Sequence, residues 1–386
     1  MTRSGEAGAA EGRAAGPLDA RWRIEAERAQ EAALPDGSVV VSCPAPLGVG
    51  GLGRHLKEIL DALERLQRPR TCVCGSCGWP TSRALRHELR RHGVDAALAP
   101  LARFSRAWRM FAQSTDFDTG AAGELPAGEH LLAFNGTALA QFRAARRAGR
   151  ESNGLVAANS HFRRVVRQHE LAYRQYPIER PWVRHLLRRN LAEYQLADRV
   201  YVASRYVRES FVEEGFDDSM LSLFPLTPSP RFTPAPAPAP TSETFDVLYV
   251  GSLSVHKGVP LLVDAFRRLS HADLRLVLVG GPGTRGMRRF LQRSCAEDPR
   301  IRVAPGDPLE PLRRAGLCVH MAYEDGFAYA PAEALACGVP VIVSEDTGMK
   351  ELIDPGANGL ILATGDVDAL SEAIEAAHAG AMTRGR

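Results

Sequence analysis

The feature that most constrains the fold is a proline-rich break, "PLTPSPRFTPAPAPAPTS", at residues 225–242. Its seven prolines lock the backbone angle φ and lack an amide N–H, so neither a helix nor a central strand can form there. On both sides of the break, short apolar runs alternate with segments that carry apolar residues at helical spacing. The sequence therefore predicts two α/β domains that are joined by a linker.

Each half of the chain has the order strand, helix, strand. Before the break, "SVVVSC" and "RTCVCG" flank the helical segment "RHLKEILDALERL"; after it, "FDVLYVGSL" and "LRLVLVGG" flank "VPLLVDAFRRL". Such units build parallel sheets covered by helices, so we predict two Rossmann-like, doubly wound domains at residues 35–224 and 243–386. Residues 1–34 have low hydrophobicity and no core-forming pattern, which predicts a tail that is disordered or loosely helical.

Apolar content and cysteine usage bear on the compartment. No apolar run approaches the roughly 20 residues of a membrane-spanning helix, and the N-terminal residues do not resemble a signal peptide. The seven cysteines are an odd number and are scattered, which fits a reducing compartment better than a disulfide framework. We therefore expect a cytoplasmic protein, either free or peripheral to the inner face of the membrane.

Three of these cysteines, in "CVCGSC", raise the alternative of a zinc site. Cys72, Cys74 and Cys77 are close together, but structural zinc normally takes four ligands and no second cysteine or histidine pair accompanies them. The favoured interpretation is a partly buried strand and loop. We expect no metal.

Basic residues are concentrated in one segment, although the net charge is only +3. Residues 138–190 hold twelve arginines against three acids, an excess of nine positive charges. Two interpretations stay open: a solvated helical face, or a surface that attracts an anionic acceptor or a membrane. The segment has few interleaved aromatic residues and matches no nucleic-acid module, so we expect no nucleic-acid partner.

Gly48, Gly50 and Gly53 have the spacing G-x-G-x-x-G, which raises the hypothesis of a dinucleotide-binding oxidoreductase. That fingerprint needs a tight turn directly after the strand and a carboxylate about 20 residues later. Here "PAPL" separates the strand from Gly48, and residues 65–87 contain no Asp or Glu. Both departures argue against a dehydrogenase.

The same glycines can serve another anion. Gly50, Gly51 and Gly53 precede a helix that we expect to begin near His55, and glycine lets backbone N–H groups approach a ligand closely. The helix N-terminus adds a partial positive charge. A flexible loop that merely caps the helix explains this stretch alone equally well.

The C-terminal half carries two acids and a lysine at predicted strand ends. Pro331 suits a first helical turn, so we expect a helix from about residues 330–331 with Glu333 in its first turn. Asp325 follows the strand "LCVHMA", and Lys257 follows "VLYVGSL". In open α/β sheets ligands bind at the carboxyl ends of strands. The alternative is that Glu333 only favours the helix start and Asp325 only a turn.

Beyond the residues themselves, the C-terminal half resembles the nucleotide-sugar domain of the retaining glycosyltransferases of family 4. The resemblance rests on "VLYVGSLSVHKGVPLLVDAF", "LRLVLVGGPG", "DGFAYAPAEALACGVPVIVS" and "GANGLILATGDVDAL". In the N-terminal half it rests on "GVGGLGRHLKEI" and "LADRVYVASRYVRESFVEEGF". The resemblance implies the GT-B fold, in which two Rossmann-like domains face a central cleft.

The resemblance also implies roles for residues on both sides of that cleft. Asp325 would contact hydroxyls of the donor sugar, Glu333 the ribose diol and Lys257 the diphosphate. Gly50 and Gly51 would face the diphosphate from the other domain. His161 would match a histidine near the donor sugar, or be a structural histidine. The remaining donor-binding positions are Ser252, Gly326 and Phe327.

Three departures from the family pattern bear on activity. The first acid is usually Glu and here is Asp325, beside which Glu324 could substitute. Ser252 stands where many members carry an arginine as the second cation for the diphosphate, which leaves that charge to Arg285, to backbone N–H groups or to nothing. The last recognisable helix is followed by few residues, so closure of the domains is expected to be weaker.

The resemblance thus implies a retaining hexosyltransferase that moves a sugar from a nucleoside-diphosphate sugar to an acceptor hydroxyl of a glycan, a lipid-linked compound or a small molecule. No cofactor is expected, because Lys257 and the loop dipoles can supply the charge that Mg²⁺ supplies elsewhere. The alternative is a catalytically weakened nucleotide-sugar-binding protein, which the departures at Asp325 and Ser252 favour.

Overall fold

A computed structural model of the chain describes residues 20–74, 85–88, 106–236 and 244–382. These residues form two parallel sheets. The N-terminal sheet has seven strands in the order β3-β2-β1-β4-β5-β6-β7, and the C-terminal sheet has six in the order β10-β9-β8-β11-β12-β13. The prediction of two doubly wound α/β domains is confirmed.

The strands of the N-terminal sheet are β1 Val39–Cys43, β2 Arg70–Cys74, β3 Leu85–Glu88, β4 His130–Phe134, β5 Ser152–Ala157, β6 Arg199–Val202 and β7 Leu221–Leu223. Those of the C-terminal sheet are β8 Phe245–Val250, β9 Leu274–Val279, β10 Ile301–Val303, β11 Leu317–His320, β12 Val341–Ser344 and β13 Gly359–Leu362. Every residue of β1, β4, β11 and β12 is buried, as expected for central strands covered on both faces.

Twelve α-helices connect and cover these strands in the described residues. They are α1 Ala20–Ala33, α2 Gly50–Arg65, α3 Arg106–Gly123, α4 Leu139–Arg147, α5 Phe162–Gln175, α6 Leu187–Tyr194, α7 Arg205–Val212, α8 Val259–Arg267, α9 Arg285–Glu297, α10 Leu309–Arg314, α11 Tyr329–Ala336 and α12 Val367–His378. In the described ranges no helix has the combined length and apolarity that crossing a bilayer requires.

The strand order reverses direction next to the first strand of each sheet, between β1 and β4 and between β8 and β11. Connections leave such neighbouring strands toward opposite faces, which opens a crevice at their carboxyl ends. The segments after β1, β8 and β11 carry the residues predicted to bind the donor. The topology therefore places these segments at the two switch points.

Residues 20–33 of the tail predicted to be disordered or loosely helical form the helix α1, so the prediction of disorder is wrong there; residues 1–19 lie outside the described residues. Gln30 is buried, and its Nε2 donates to the Pro225 backbone oxygen at 2.7 Å. Arg23 Nη2 donates to the Pro228 oxygen at 2.9 Å. Contacts with residues about 200 positions away thus order a helix whose own sequence is only weakly amphipathic.

The first part of the proline-rich linker packs against both domains. Leu226 and Phe232 are buried, and Arg231 pairs with Asp307 through two N–O contacts of 2.7 and 2.9 Å. Thr227 donates from its backbone N–H to Glu58 on α2. Residues 225–236 are therefore a packed segment with a turn at residues 230–231 and neither helix nor strand; residues 237–242 lie outside the described residues.

The described cysteines depart in part from the expectation of reduced thiols. Cys74, at the end of β2, is disulfide-bonded, whereas Cys43 and Cys318 are buried thiols. Burial raises the pKa of both thiols to about 12, so they are protonated and unreactive at neutral pH. Cys77 lies outside the described residues, and within those residues no cluster of three His, Cys, Asp or Glu could hold a metal ion.

Candidate active site at the interdomain cleft

The structure brings Lys257 and Asp325 together at the carboxyl ends of two paired strands. Lys257 ends a short 3-10 turn after β8, and Asp325 follows β11. The Lys257 Nζ atom lies 2.7 Å from Asp325 Oδ2 and donates to the Glu324 backbone oxygen at 3.3 Å. Both side chains are about one-fifth exposed, so the pair is partly shielded from water but accessible to a ligand.

A glycine makes this approach of the two loops possible. Gly258 has φ of +73°, and a Cβ atom there would lie 1.9 Å from the backbone oxygen of Met321. No L side chain fits so short a gap, and the positive φ is itself costly for other residues. Gly258 thus lets the Lys257 turn rest directly on the end of β11.

Asp325 is held in its anionic form. Burial tends to raise its pKa, but the Lys257 charge and the hydrogen bond from His320 outweigh burial and lower the pKa well below its usual range. The His320 Nε2 atom lies 3.1 Å from Asp325 Oδ2. At neutral pH the site therefore presents a carboxylate, not a proton donor.

Glu324 faces the other domain. Its carboxylate is buried and accepts hydrogen bonds from the Ser160 backbone N–H at 2.8 Å and from Asn159 Nδ2 at 3.1 Å. Burial raises the pKa of Glu324 despite the nearby Lys257 charge. In this structure the Glu324 side chain joins the domains, and Asp325 occupies the position beside Lys257.

Gly326 and Phe327 continue this interdomain contact. The Gly326 backbone oxygen accepts a hydrogen bond of 2.7 Å from Ser204 Oγ, and a Cβ at residue 326 would lie 2.3 Å from the Ala158 backbone oxygen. Phe327 is buried, with its ring 5.5 Å from that of Tyr329. The contact of Gly326 and Phe327 with the donor stays a prediction. The contacts between the domains already explain why residue 326 is a glycine and residue 327 is apolar.

The helix that carries Glu333 begins earlier than predicted. α11 starts at Tyr329, so Glu333 is its fifth residue and lies outside the first turn. The dipole of α11 therefore stabilises the Glu333 carboxylate less than the sequence predicted. Ala328, which caps the helix, has φ of +66°, an uncommon conformation for alanine that the sequence did not predict. Strained backbone of this kind often occurs at ligand sites.

Glu333 pairs with an arginine from the opposite domain that the sequence analysis missed. Arg54 Nη1 contacts Glu333 Oε1, and the Arg54 guanidinium lies 4.2 Å from the centre of the Tyr329 ring. The Glu333 side chain is 1% exposed and that of Arg54 is 30% exposed. Burial raises the pKa of Glu333, and the Arg54 charge opposes this shift.

Gly50 and Gly51 lie in the first turn of α2, which starts at Gly50 and not near His55 as predicted. A Cβ atom at either position would meet no atom within 4 Å, so both backbones border open space. At Gly53, by contrast, a Cβ would lie 2.0 Å from the Pro46 oxygen. The loop therefore needs Gly53 for packing and leaves the first amides of α2 accessible.

His161 lies among aromatic rings. Its ring centre is 4.8 Å from that of Tyr194, 5.1 Å from that of Phe211 and 5.7 Å from that of Phe216. Burial, with help from the charge of Arg163 and neighbouring arginines, lowers the pKa of His161 to about 4. The imidazole is neutral at physiological pH. These contacts fit a structural histidine, and its catalytic role stays a prediction.

Ser252 and Arg285, the two positions weighed for a second diphosphate contact, are both exposed. The Ser252 backbone oxygen accepts a hydrogen bond of 3.0 Å from Tyr249 Oη, and Arg285 is the first residue of α9. Gly286 beside it packs against Ile178 of the N-terminal domain. Their roles toward a diphosphate stay predictions.

The arginine-rich segment is partly neutralised. Six of its twelve arginines form ion pairs with carboxylates of the described residues: Arg146, Arg163, Arg164, Arg167, Arg184 and Arg189. This pairing supports the interpretation as a solvated helical face. An anionic acceptor or a membrane surface stays a prediction.

A cavity of about 430 Å³ lies where α5 meets the C-terminal sheet. Gln168, Arg174 and Gln175 line it from one domain, and Tyr323 and Asp346 are among its lining residues from the other. None of the predicted donor-binding residues lines this cavity. Interdomain contacts by Glu324, Gly326 and Glu333 instead hold the two domains together at the predicted donor site.

Comparison with known sequences supports the resemblance in the C-terminal half. Residues 235–381 match the family model described as glycosyl transferases group 1. A D-inositol 3-phosphate glycosyltransferase of Corynebacterium kroppenstedtii is 30% identical over 129 residues, 30% of this chain and 29% of the relative. A GDP-mannose-dependent phosphatidylinositol monomannoside mannosyltransferase of Mycolicibacterium smegmatis is 28% identical over 251 residues, 57% of this chain and 62% of the relative. The matches thus span less than two thirds of these relatives.

Comparison with solved structures covers nearly the whole chain. Sucrose-phosphate synthase from Thermosynechococcus elongatus has a TM-score of 0.68 at 18% identity, over 89% of this chain and 90% of that one. Anabaena HepE in complex with UDP-glucose has a TM-score of 0.62 at 16% identity, over 88% of both chains. Residues 235–381 therefore match the glycosyl transferases group 1 family, and the two domains together have the GT-B fold of these solved structures.

Proposed function

We propose that this protein is a retaining glycosyltransferase that moves a sugar from a nucleoside-diphosphate sugar to an acceptor hydroxyl. The observation that carries the proposal is the pairing of Lys257 with Asp325 at the switch point of the C-terminal sheet. Glu333 lies in the helix that follows β11, the strand that Asp325 also follows. In the facing domain, the accessible amides of Gly50 and Gly51 begin α2. An ammonium, two carboxylates and a helix N-terminus suit a sugar linked to a diphosphate.

The relatives support the donor class. HepE was crystallised with UDP-glucose, and the Mycolicibacterium relative is named for its dependence on GDP-mannose. Both ligands are nucleoside-diphosphate sugars. We propose that this protein uses a donor of the same class, and we assign neither its base nor its sugar.

The chemistry follows from the charges at the site. The new bond forms between the acceptor oxygen and the anomeric carbon, while the bond from that carbon to the diphosphate breaks and the diphosphate accepts the acceptor's proton. Negative charge develops on the diphosphate, where Lys257 and the first amides of α2 stabilise it. Positive charge develops at the anomeric carbon, where the anionic Asp325 stabilises it.

Lys257, the first amides of α2 and the cleft residue Arg54 together can supply the positive charge that a metal ion would otherwise bring, so we propose that transfer needs no metal cofactor. Activity that is unchanged by a chelator is the expected result. Loss of activity on chelation, with recovery when Mg²⁺ or Mn²⁺ is added, would contradict it.

The function is tested by incubating the full chain with UDP- and GDP-sugars and a panel of glycan, lipid and small-molecule acceptors. The expected result is release of UDP or GDP, with the anomeric configuration of the donor kept in the product as read by NMR. Tight donor binding without release across the panel would favour the weakened binding protein. A chain that binds none of these donors would overturn both the glycosyltransferase and the weakened binding protein.

A further inference from the structure

The family resemblance assigns no role to Arg54, yet this residue lies where two proposed donor contacts meet. It follows Gly50 by four residues and Gly51 by three on α2, so all three share one face of the helix. Its guanidinium reaches across the cleft to Glu333, which is otherwise buried. One side chain thus connects the helix proposed to face the diphosphate with the acid proposed to bind the ribose.

The charges of the described site leave a diphosphate under-neutralised. Lys257 is already paired with Asp325, and Ser252 brings no charge. A diphosphate carries at least two negative charges, and buried or half-buried anions need fixed cations close by. Arg54 lies on the helix face of Gly50 and Gly51, is partly exposed, and carries a guanidinium whose forked donors suit phosphate oxygens.

The present partner of Arg54 is the group that a donor would use. A ribose diol offers two hydroxyl donors to the Glu333 carboxylate, and the Arg54 contact occupies Oε1 of that carboxylate. A donor whose diol uses both oxygens of the carboxylate would displace Arg54 from Oε1. The displaced guanidinium then has an anion of higher charge beside it on the same helix face.

Resting on the proposed function, we propose that Arg54 is a two-position residue of the donor site. In the empty protein it pairs with Glu333 and holds the domains together. In the donor complex it moves to the diphosphate, where it supplies the second cation that Ser252 does not. It stabilises the leaving group as charge develops there, and it couples ribose recognition to diphosphate binding.

The test compares nucleosides with nucleoside diphosphates by isothermal titration calorimetry on the full chain. Arg54→Ala and Arg54→Gln are measured against uridine, guanosine, UDP and GDP; the Gln variant keeps a hydrogen-bond donor near Glu333 in case the Ala variant folds poorly. We expect affinity for the diphosphate that binds the wild type to fall about 10-fold to 100-fold, with nucleoside affinity unchanged or higher. Lys57→Ala removes an exposed charge of the same helix and is the matched control.

Three outcomes would overturn the proposal in distinguishable ways. Unchanged diphosphate affinity in both Arg54 variants, with the wild type binding normally, makes the Arg54 contact purely structural and leaves the proposed function intact. Loss of diphosphate affinity in Arg285→Ala but not in the Arg54 variants assigns the second cation to Arg285. A wild-type chain that binds neither diphosphate nor nucleotide sugar overturns the proposed function together with this inference.

Discussion

The hydroxyl of Tyr329 donates a hydrogen bond of 2.6 Å to the carboxylate of Glu58, which joins α2 to the first residue of α11. Glu58 also accepts hydrogen bonds from Gln30 on α1 and from Thr227 in the linker. Four parts of the chain therefore meet at one half-buried carboxylate. Because α11 carries Glu333, this network sets how the two domains approach each other at the donor site.

Glu58 makes stability depend on pH. Burial raises its pKa from 4.5 to about 7, although its hydrogen bonds oppose the shift. The folded state thus binds this proton more tightly than the unfolded chain does. The free energy of unfolding should fall as pH rises through this window, by about 3 kcal/mol for this group.

Glu58→Gln tests this dependence, because an amide cannot titrate. Thermal unfolding at about pH 5 and about pH 8 should show a smaller stability difference for the variant than for the wild type. Glu193, a buried acid whose pKa burial also raises to about 7, keeps its contribution in both proteins and cancels in the comparison. An equal pH dependence in the two proteins would contradict the assignment to Glu58.

Lys257 should have the largest single effect on turnover. Lys257→Ala removes the ammonium from the diphosphate and should lower kcat about 10² to 10³-fold, as loss of one preorganised charge stabiliser does. Steady-state kinetics with the donor identified in the release assay measures this effect, and Lys57→Ala is the control.

Loss of the Lys257 charge also raises the pKa of Asp325, so the acidic limb of the pH profile should move to higher pH. Wild-type kcat in Lys257→Ala would remove this residue from the mechanism.

The fold was predictable because its signals are local. Strands such as β1 and β12 are continuous apolar runs, as central parallel strands are, and the proline-rich break separates the two sheets in the sequence itself. The proximity of Lys257 and Asp325 was also predictable, since both follow strands at a switch point.

The missed features depend on contacts between distant parts of the chain. Arg54 and Glu333 are 279 residues apart, and their pairing requires the closed arrangement of the two domains. α1 is ordered by contacts with the linker and with α2. No local pattern within residues 20–33 encodes these contacts. The start of α2 was misplaced because Gly50 and Gly51 are weak helix formers, and tertiary packing overrides that propensity.

Gly258 should be required for the geometry of the Lys257 turn. Gly258→Ala combines a positive φ with a clash against the Met321 oxygen, so it should destabilise the fold by at least about 2 kcal/mol. Gly281→Ala is the matched control in the same domain, since a Cβ there meets no atom within 4 Å and φ lies outside the left-handed range. Denaturant unfolding of both variants measures the difference. Equal stability of the two variants would mean that the turn relaxes away from β11.

Gly51 should be required for donor binding and not for folding. A Cβ at residue 51 points into open space and alanine favours a helix, so Gly51→Ala should match or exceed the wild type in stability by up to about 1 kcal/mol. The same methyl group would stand where we propose that the diphosphate approaches the first amides of α2, so affinity for UDP or GDP should fall. Gly53→Ala should show the opposite pattern, because its Cβ would clash with the Pro46 oxygen and lower stability. Calorimetric binding and thermal unfolding of the two variants together separate the roles. A Gly51→Ala protein that binds the diphosphate as tightly as the wild type would show that the anion does not approach this turn of the helix.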